Sequence, residues 1–127
     1  MKIKKAGIVI VTLIMIVGLC SGVSHANKSA VTIEAPEQTA NGSEVTVKIH
    51  VTHSGNSYFH YTNWVKVQIN GQQAALWEYS AGNRPEGEKF TKEINVKVVG
   101  PTEIVAEANC NLHGSQGPAT RMIAVQQ

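Results

Sequence analysis

Two pairs of residues in this 127-residue chain have the types and spacing for metal chemistry. The first is Cys110-Asn111-Leu112-His113-Gly114, which sets a thiol and an imidazole three positions apart with a glycine just beyond. On a turn, two such donors reach one ion, and the glycine lets the backbone bend tightly past the second. The second pair is His53 and His60, at the two ends of the segment Ser54-Gly55-Asn56-Ser57-Tyr58-Phe59. A glycine-containing loop can fold both rings toward a common point. Either pair alone is a weak signal, because Cys-x-x-His arises by accident and two histidines flanking a loop are commonly surface residues. Together they offer three imidazoles and one thiolate. That nitrogen-rich set with one soft donor suits iron, copper or zinc and argues against magnesium or calcium.

Cysteine usage bears on the same point. The chain holds two cysteines, Cys20 and Cys110. Lys2, Lys4 and Lys5 precede an apolar run from Ile8 to Leu19, and Ser21-Gly22-Val23-Ser24-His25-Ala26 follows it. Ser24 and Ala26 fit the −3 and −1 positions of a signal-peptidase site, so residues 1–26 are expected to be a secretory signal and 27–127 the exported domain, periplasmic or extracellular. The run is shorter than the roughly 20 apolar residues of a membrane span, so contact with a membrane would come through an uncleaved signal only. A lipoprotein reading would modify Cys20. Without the signal, Cys110 is a lone thiol in a compartment where thiols pair, which points to an intermolecular disulfide, a reactive thiol or a metal ligand. Coordination would hold it as thiolate.

The charge balance follows the same boundary. The whole chain carries a net +2, but residues 27–127 hold eight Lys and Arg against nine Glu and no Asp, a net of −1. The basicity belongs to the leader, and nothing in the domain suggests a nucleic-acid partner. No P-loop, dinucleotide fingerprint or nucleophile elbow is present, and no pair of glutamates has the spacing of acid–base hydrolysis.

The elements that must position these donors read as strands. Glu44 to Val51 alternates polar and apolar residues, with Val45, Val47, Ile49 and Val51 on one face. Trp64 to Ile69 alternates likewise, and Asn70-Gly71 predicts a type I′ turn into Ala74–Tyr79. Phe90–Val99, Glu103–Ala108, Met122–Val125 and Val31–Ile33 complete about seven short strands without a helical period, which predicts an all-β, immunoglobulin-like β-sandwich. The segments 53–59, 80–88 and 109–120 are its loops. Trp64 is expected between the sheets, and Trp77 and Tyr79 as core or rim packing. Arg84, Glu86 and Glu88 are expected in a solvated turn.

The chain resembles the superoxide reductase family, the neelaredoxins and the iron-binding domain of desulfoferrodoxins. Their Cys-Asn-x-His-Gly motif is matched by Cys110-Asn111-Leu112-His113-Gly114, and Val45-Thr46-Val47-Lys48 matches the strand before their first central histidine. Their central motif, a histidine, a short loop and then His-Tyr-Ile-x-Trp-Ile, corresponds to His53 and His60-Tyr61-Thr62-Asn63-Trp64-Val65. The resemblance implies an immunoglobulin-like sandwich holding one non-haem iron by four imidazoles and an axial thiolate. It implies one-electron reduction of superoxide to hydrogen peroxide, with rubredoxin or a similar protein returning the electron. Members often form dimers or tetramers, and nothing in this sequence demands it.

Departures from the family pattern matter as much. The N-terminal Glu-Lys-His-x-Pro-x-Ile segment, aligned on Ile33-Glu34, places Lys28 at the family's lysine and Ser29 at its histidine. Lys28 is thereby a candidate for guiding superoxide or its proton. The fourth imidazole is missing from its expected place. His25 would leave with the signal, and His50 belongs to the solvent face of its strand by alternation. The loop from His53 to His60 is one residue longer than the family's and lacks its Pro-Met. A three-histidine, one-cysteine site would be more open and completed by water, which would tune the metal toward electron transfer or binding in a non-catalytic protein of the same fold, or toward a different metal. A binding module with Cys110 as a sulfur-carrying thiol is a third reading, with less in its favour because His113 stands beside the thiol.

Overall fold

The computed structural model describes residues 27–126, so residues 1–26, with Cys20, His25 and the expected signal, lie outside the described residues. Eight strands follow in order: β1 Ala30–Glu34, β2 Gln38–Ala40, β3 Ser43–Thr52, β4 Thr62–Ile69, β5 Gln72–Glu78, β6 Lys89–Val98, β7 Thr102–Cys110 and β8 Ala119–Gln126. They form two sheets, β1-β3-β6 and β2-β8-β7-β4-β5, as expected of an immunoglobulin-like sandwich. The expected strands are all present. The addition is β2, three residues pairing in parallel with β8, too short to show any alternation.

Residue parity builds the core. On β3 the odd positions Val47, Ile49 and Val51 are buried, and on β7 the even positions Ile104, Ala106 and Ala108 are. Val65 and Val67 of β4, Phe90, Val96 and Val98 of β6, and Ile123 of β8 fill the space between. Successive side chains of a strand point to opposite faces, so each run of alternate apolar residues supplies one inner face. Asn70 and Gly71 both have positive φ, 50° and 80°, which the expected type I′ hairpin between β4 and β5 requires.

Trp64 is a correction. The ladder of β4 with β7 shifts register between Thr62 and Trp64, so Asn63 is an extra residue and the inward parity changes from Thr62 to Val65. Trp64 therefore stands on the outer face of the sheet, with Lys66 Nζ 5.4 Å from its ring centroid, rather than between the sheets. Trp77 and Tyr79 do pack, half-buried, against the core. Arg84, Glu86 and Glu88 are exposed. Among the described residues, no helix is long and apolar enough to cross a membrane.

Candidate metal centre

The same parity places the donors. His53 is the next inner-face position after Val51 at the end of β3, and Cys110 the next after Ala108 at the end of β7. The two strands belong to different sheets and end at one pole of the sandwich. Both side chains are therefore turned into the gap between the sheets, His53 6% and Cys110 1% exposed. Among the described residues the thiol makes no disulfide. His60 precedes β4 by two residues and is half-buried, and His113 lies exposed on the turn beyond β7.

One donor atom each of His53, His60 and Cys110 lies within 4.8 Å of the others. His113 Nδ1 stands 3.7 Å from Cys110 Sγ and 3.2 Å from His60 Nε2. Successive imidazole rings meet nearly at right angles, His53 to His60 at 83° and His60 to His113 at 78°. Donors sharing one ion through bonds of about 2.0–2.3 Å must sit roughly 3–4.5 Å apart, and the measured separations match that range within a few tenths of an ångström. The residues present fit a single ion, and their chemistry is that of an iron, copper or zinc site.

His53 adds a second sign. Its Nε2 faces the Asn27 carbonyl at 3.3 Å, while the buried Nδ1 has no hydrogen-bond partner among the described residues. An imidazole with one nitrogen on a carbonyl and the other unengaged keeps a lone pair for a metal. Burial pushes the His53 pKa below the ordinary histidine value of 6.5, against the raising influence of the Asn27 carbonyl, and His60 lowers it further. The ring is thus held in the neutral form that ligation needs.

The loops carry the turn expected at Gly114 and further devices that motif reading did not single out. Cys110 and Gly114 exchange backbone hydrogen bonds of 2.9 and 3.0 Å, closing the turn, and Gly114 takes a φ of +82°. The His113 amide points at Cys110 Sγ from 3.4 Å, a donor positioned to stabilise a thiolate. Asn111 clasps the other loop: its Oδ1 accepts from Tyr61 N at 2.9 Å, its Nδ2 donates to Phe59 O at 3.0 Å, and its own amide donates to Tyr61 O at 3.1 Å. These bonds fall on both neighbours of His60 and fix it relative to Cys110. Gly55 lies against the His60 ring, where an added Cβ would overlap Nδ1 and stand 2.9 Å from Cε1. Asn56 anchors the same loop through Nδ2 to Pro85 O at 2.9 Å.

Other candidates lie elsewhere. His50 is on the outer face, its Nε2 2.7 Å from Glu34 Oε2 and its Nδ1 2.8 Å from Thr91 Oγ1, away from the cluster. Lys28 lines a cavity of about 430 Å³ beside His53, whose other charged groups are Lys89 and Glu88. Ser29 is fully buried and bonded to Thr62. Cys110 is too deeply buried for a carrier thiol that must present its sulfur to other proteins.

An immunoglobulin-like sandwich with imidazoles and a thiolate gathered where its two inner faces end defines a class of small β-proteins with a histidine- and cysteine-rich pole. Within that class the chain belongs to the desulfoferrodoxin family, whose model matches residues 21–115. No curated protein sequence matches it. Among solved structures it is similar to the superoxide reductase (neelaredoxin) from Ignicoccus hospitalis, at 21% identity and a TM-score of 0.67, covering 84% of this chain and 89% of that one. It is also similar to a CARDB domain from Pyrococcus furiosus in complex with di-metal ions, at 20% identity and a TM-score of 0.59, covering 76% and 91%. The sulfur carrier protein SoxY from Chlorobium limicola follows at 16% identity and a TM-score of 0.55, covering 76% and 79%. At these identities the likenesses establish the fold.

Proposed function

We propose that this chain is an exported, mononuclear non-haem iron protein that reduces superoxide to hydrogen peroxide, with His53, His60, His113 and Cys110 as the ligands. The observation that carries the reading is the convergence of His53, His60 and Cys110 donor atoms within 4.8 Å, in a chain of the desulfoferrodoxin family. Iron, when bound, supplies one electron per superoxide, and two protons complete the peroxide. A redox protein of rubredoxin type returns the electron.

The chain's own residues do the rest. Burial keeps His53 neutral, and the His113 amide donates toward Cys110 Sγ, which favours the thiolate. Asn111 and Gly55 hold His60 in place. Lys28 and Lys89, in the cavity beside His53, give an anion a favourable approach and can relay a proton from solvent. The neighbourhood of His60 and His113 is the accessible side of the cluster, and the Cys110 side is sealed. A small substrate would therefore reach the cluster past the imidazoles rather than past Cys110.

A second reading, a non-catalytic metal-binding or electron-transfer protein, is favoured by one observation: a serine stands where the family's fourth imidazole would be. Anaerobic purification with metal analysis separates the readings. The superoxide reductase reading expects about one iron per chain, a visible thiolate-to-iron band on oxidation, and superoxide consumption faster than by free ferrous ion. Cys110→Ser should abolish the band. An unchanged spectrum in that variant would remove Cys110 from the ligand set, and consumption no faster than by the free ion would leave the non-catalytic reading. Export is tested by N-terminal sequencing of the protein recovered from cells, which should begin at Asn27.

A further inference from the structure

We propose that this chain has replaced the fourth imidazole of its family by a buried pair of hydroxyls, Ser29 and Thr62, and holds its metal by three nitrogens and one sulfur. This rests on the metal reading above and deepens it. Ser29 lies two positions before Val31 and four before Ile33, both of which pack against the core, so it shares their inward parity at the pole where His53 and Cys110 end their strands. It is 0% exposed, and its Oγ lies 2.7 Å from Thr62 Oγ1. Thr62 is 1% exposed and is the strand partner of Cys110 across β4 and β7. Directly paired residues put their side chains on one face of a sheet, so the hydroxyl pair lies beside the thiol. The Ser29 backbone is fixed as well, with its carbonyl accepting from Gln116 N at 2.9 Å and its amide directed at Gly114 O at 3.4 Å.

Both members of the pair are departures from the resembled motifs. Ser29 stands where those motifs have histidine, and Thr62 where they have isoleucine. Either change alone would bury a hydroxyl without a partner; made together, the two satisfy each other. That reciprocity marks a substitute packing for the missing ring. A neutral serine hydroxyl already bonded to threonine is a poor donor to a soft or borderline ion beside imidazole and thiolate. His50 cannot supply the imidazole, since both its ring nitrogens are engaged on the opposite face of β3. The consequence is one protein donor fewer, leaving a position for solvent or a small exogenous ligand.

The test loads the full-length chain with cobalt(II) anaerobically and reads two signals. One is the visible spectrum, whose ligand-field bands weaken as the donor count rises above four. The other is X-ray absorption, which counts imidazole and sulfur neighbours. The expected result is three imidazoles and one sulfur, unchanged in Ser29→Ala and in His25→Ala, with a fourth imidazole and weaker bands in the double variant S29H/T62I. Four imidazoles in the unaltered chain would overturn the proposal, as would an altered spectrum in His25→Ala or Ser29→Ala. A folded S29H/T62I that gains no donor would show that position 29 does not face the metal. Absence of any sulfur-to-cobalt band in the unaltered chain would instead sink the metal reading, and this proposal with it.

Discussion

Gly55→Ala separates the function of the His53–His60 loop from its stability, because metal binding should fall while the metal-free protein changes little. A methyl group at this position meets the His60 ring, with Cε1 at 2.9 Å, while ordinary contact begins near 3.4 Å. The ring must therefore retreat by roughly 0.5–1 Å to reach the carbon–carbon optimum of about 3.5–4.0 Å. Nothing else in the backbone resists the change: Gly55 is not among the glycines with positive φ, so alanine is free to adopt its conformation. Restricting the unfolded chain favours the metal-free protein by about 0.4–1 kcal/mol, but the displaced His60 ring works against that gain, so its stability should change little. A binding constellation tolerates displacements of only about 0.5 Å, so the loaded form should suffer. Loss of orientation around a ligating histidine typically weakens metal binding about 10–100-fold.

The assay is competition for iron(II) or cobalt(II) against a chromogenic chelator under anaerobic conditions, beside thermal unfolding of the metal-free protein. Gly87→Ala is the control, since its nearest added contact is an ordinary 3.6 Å to Lys89 O. The expectation is weaker binding in Gly55→Ala alone, with metal-free unfolding little changed in Gly55→Ala and unchanged or raised in Gly87→Ala. Undiminished metal affinity in Gly55→Ala would show that the His60 ring does not need this position to bind, and the role assigned to the loop would fall.

The remaining predictions concern residues around the cluster and one pair remote from it. Asn111→Asp keeps an acceptor for Tyr61 N but loses the donor to Phe59 O, so it should weaken metal binding and shift the thiolate band; an unshifted band would show that the clasp does not position His60. His50→Ala should leave metal content and spectrum unaltered, and a lost equivalent of metal would return His50 to the ligand set. Glu34 is held below its ordinary pKa of 4.5, chiefly by its hydrogen bond with His50 and then by Lys48. A depressed carboxylate contributes stability fully above its unfolded value and loses it as pH falls through the folded one, so Glu34→Gln should flatten the acid side of the stability–pH curve below about pH 5. An identical curve in that variant would refute the linkage.

How far the site was legible depends on parity. Val47, Ile49 and Val51 announced the inner face of β3, and the same count carried forward reaches His53, while His50 falls on the other side. Ile104, Ala106 and Ala108 carry the count to Cys110. What parity cannot see is where it breaks. Asn63 adds one residue to β4, and Trp64 is displaced to the outer face although the sequence gives no local sign of a bulge. The Asn111 clasp and the Ser29–Thr62 bond join positions 50 to 52 and 33 residues apart, so each half looks like an ordinary polar residue until the loops are closed. β2 owes its existence to its neighbour β8 rather than to its own three residues.

The division of the cluster into strand-borne and loop-borne halves has a consequence for how it works under the proposed function. His53 and Cys110 end strands of different sheets, so an ion held by both ties the sheets together at this pole, beside the backbone bonds of Ser29 with Gly114 and Gln116. Binding to the folded state alone then stabilises it by mass action, about 2.7 kcal/mol at a free metal concentration 100 times Kd. These two donors are buried and set by the sandwich itself, and they cannot move without disturbing the core. His60 and His113 sit on loops, more exposed, and their positions rest on Asn111, Gly55 and the closed Cys110–Gly114 turn. Affinity is thus anchored on the buried side, while adjustment to a ligand falls to the exposed side. Under that reading the exposed imidazoles of His60 and His113, rather than the buried Cys110 with Ser29 and Thr62 packed beside it, would face an incoming anion.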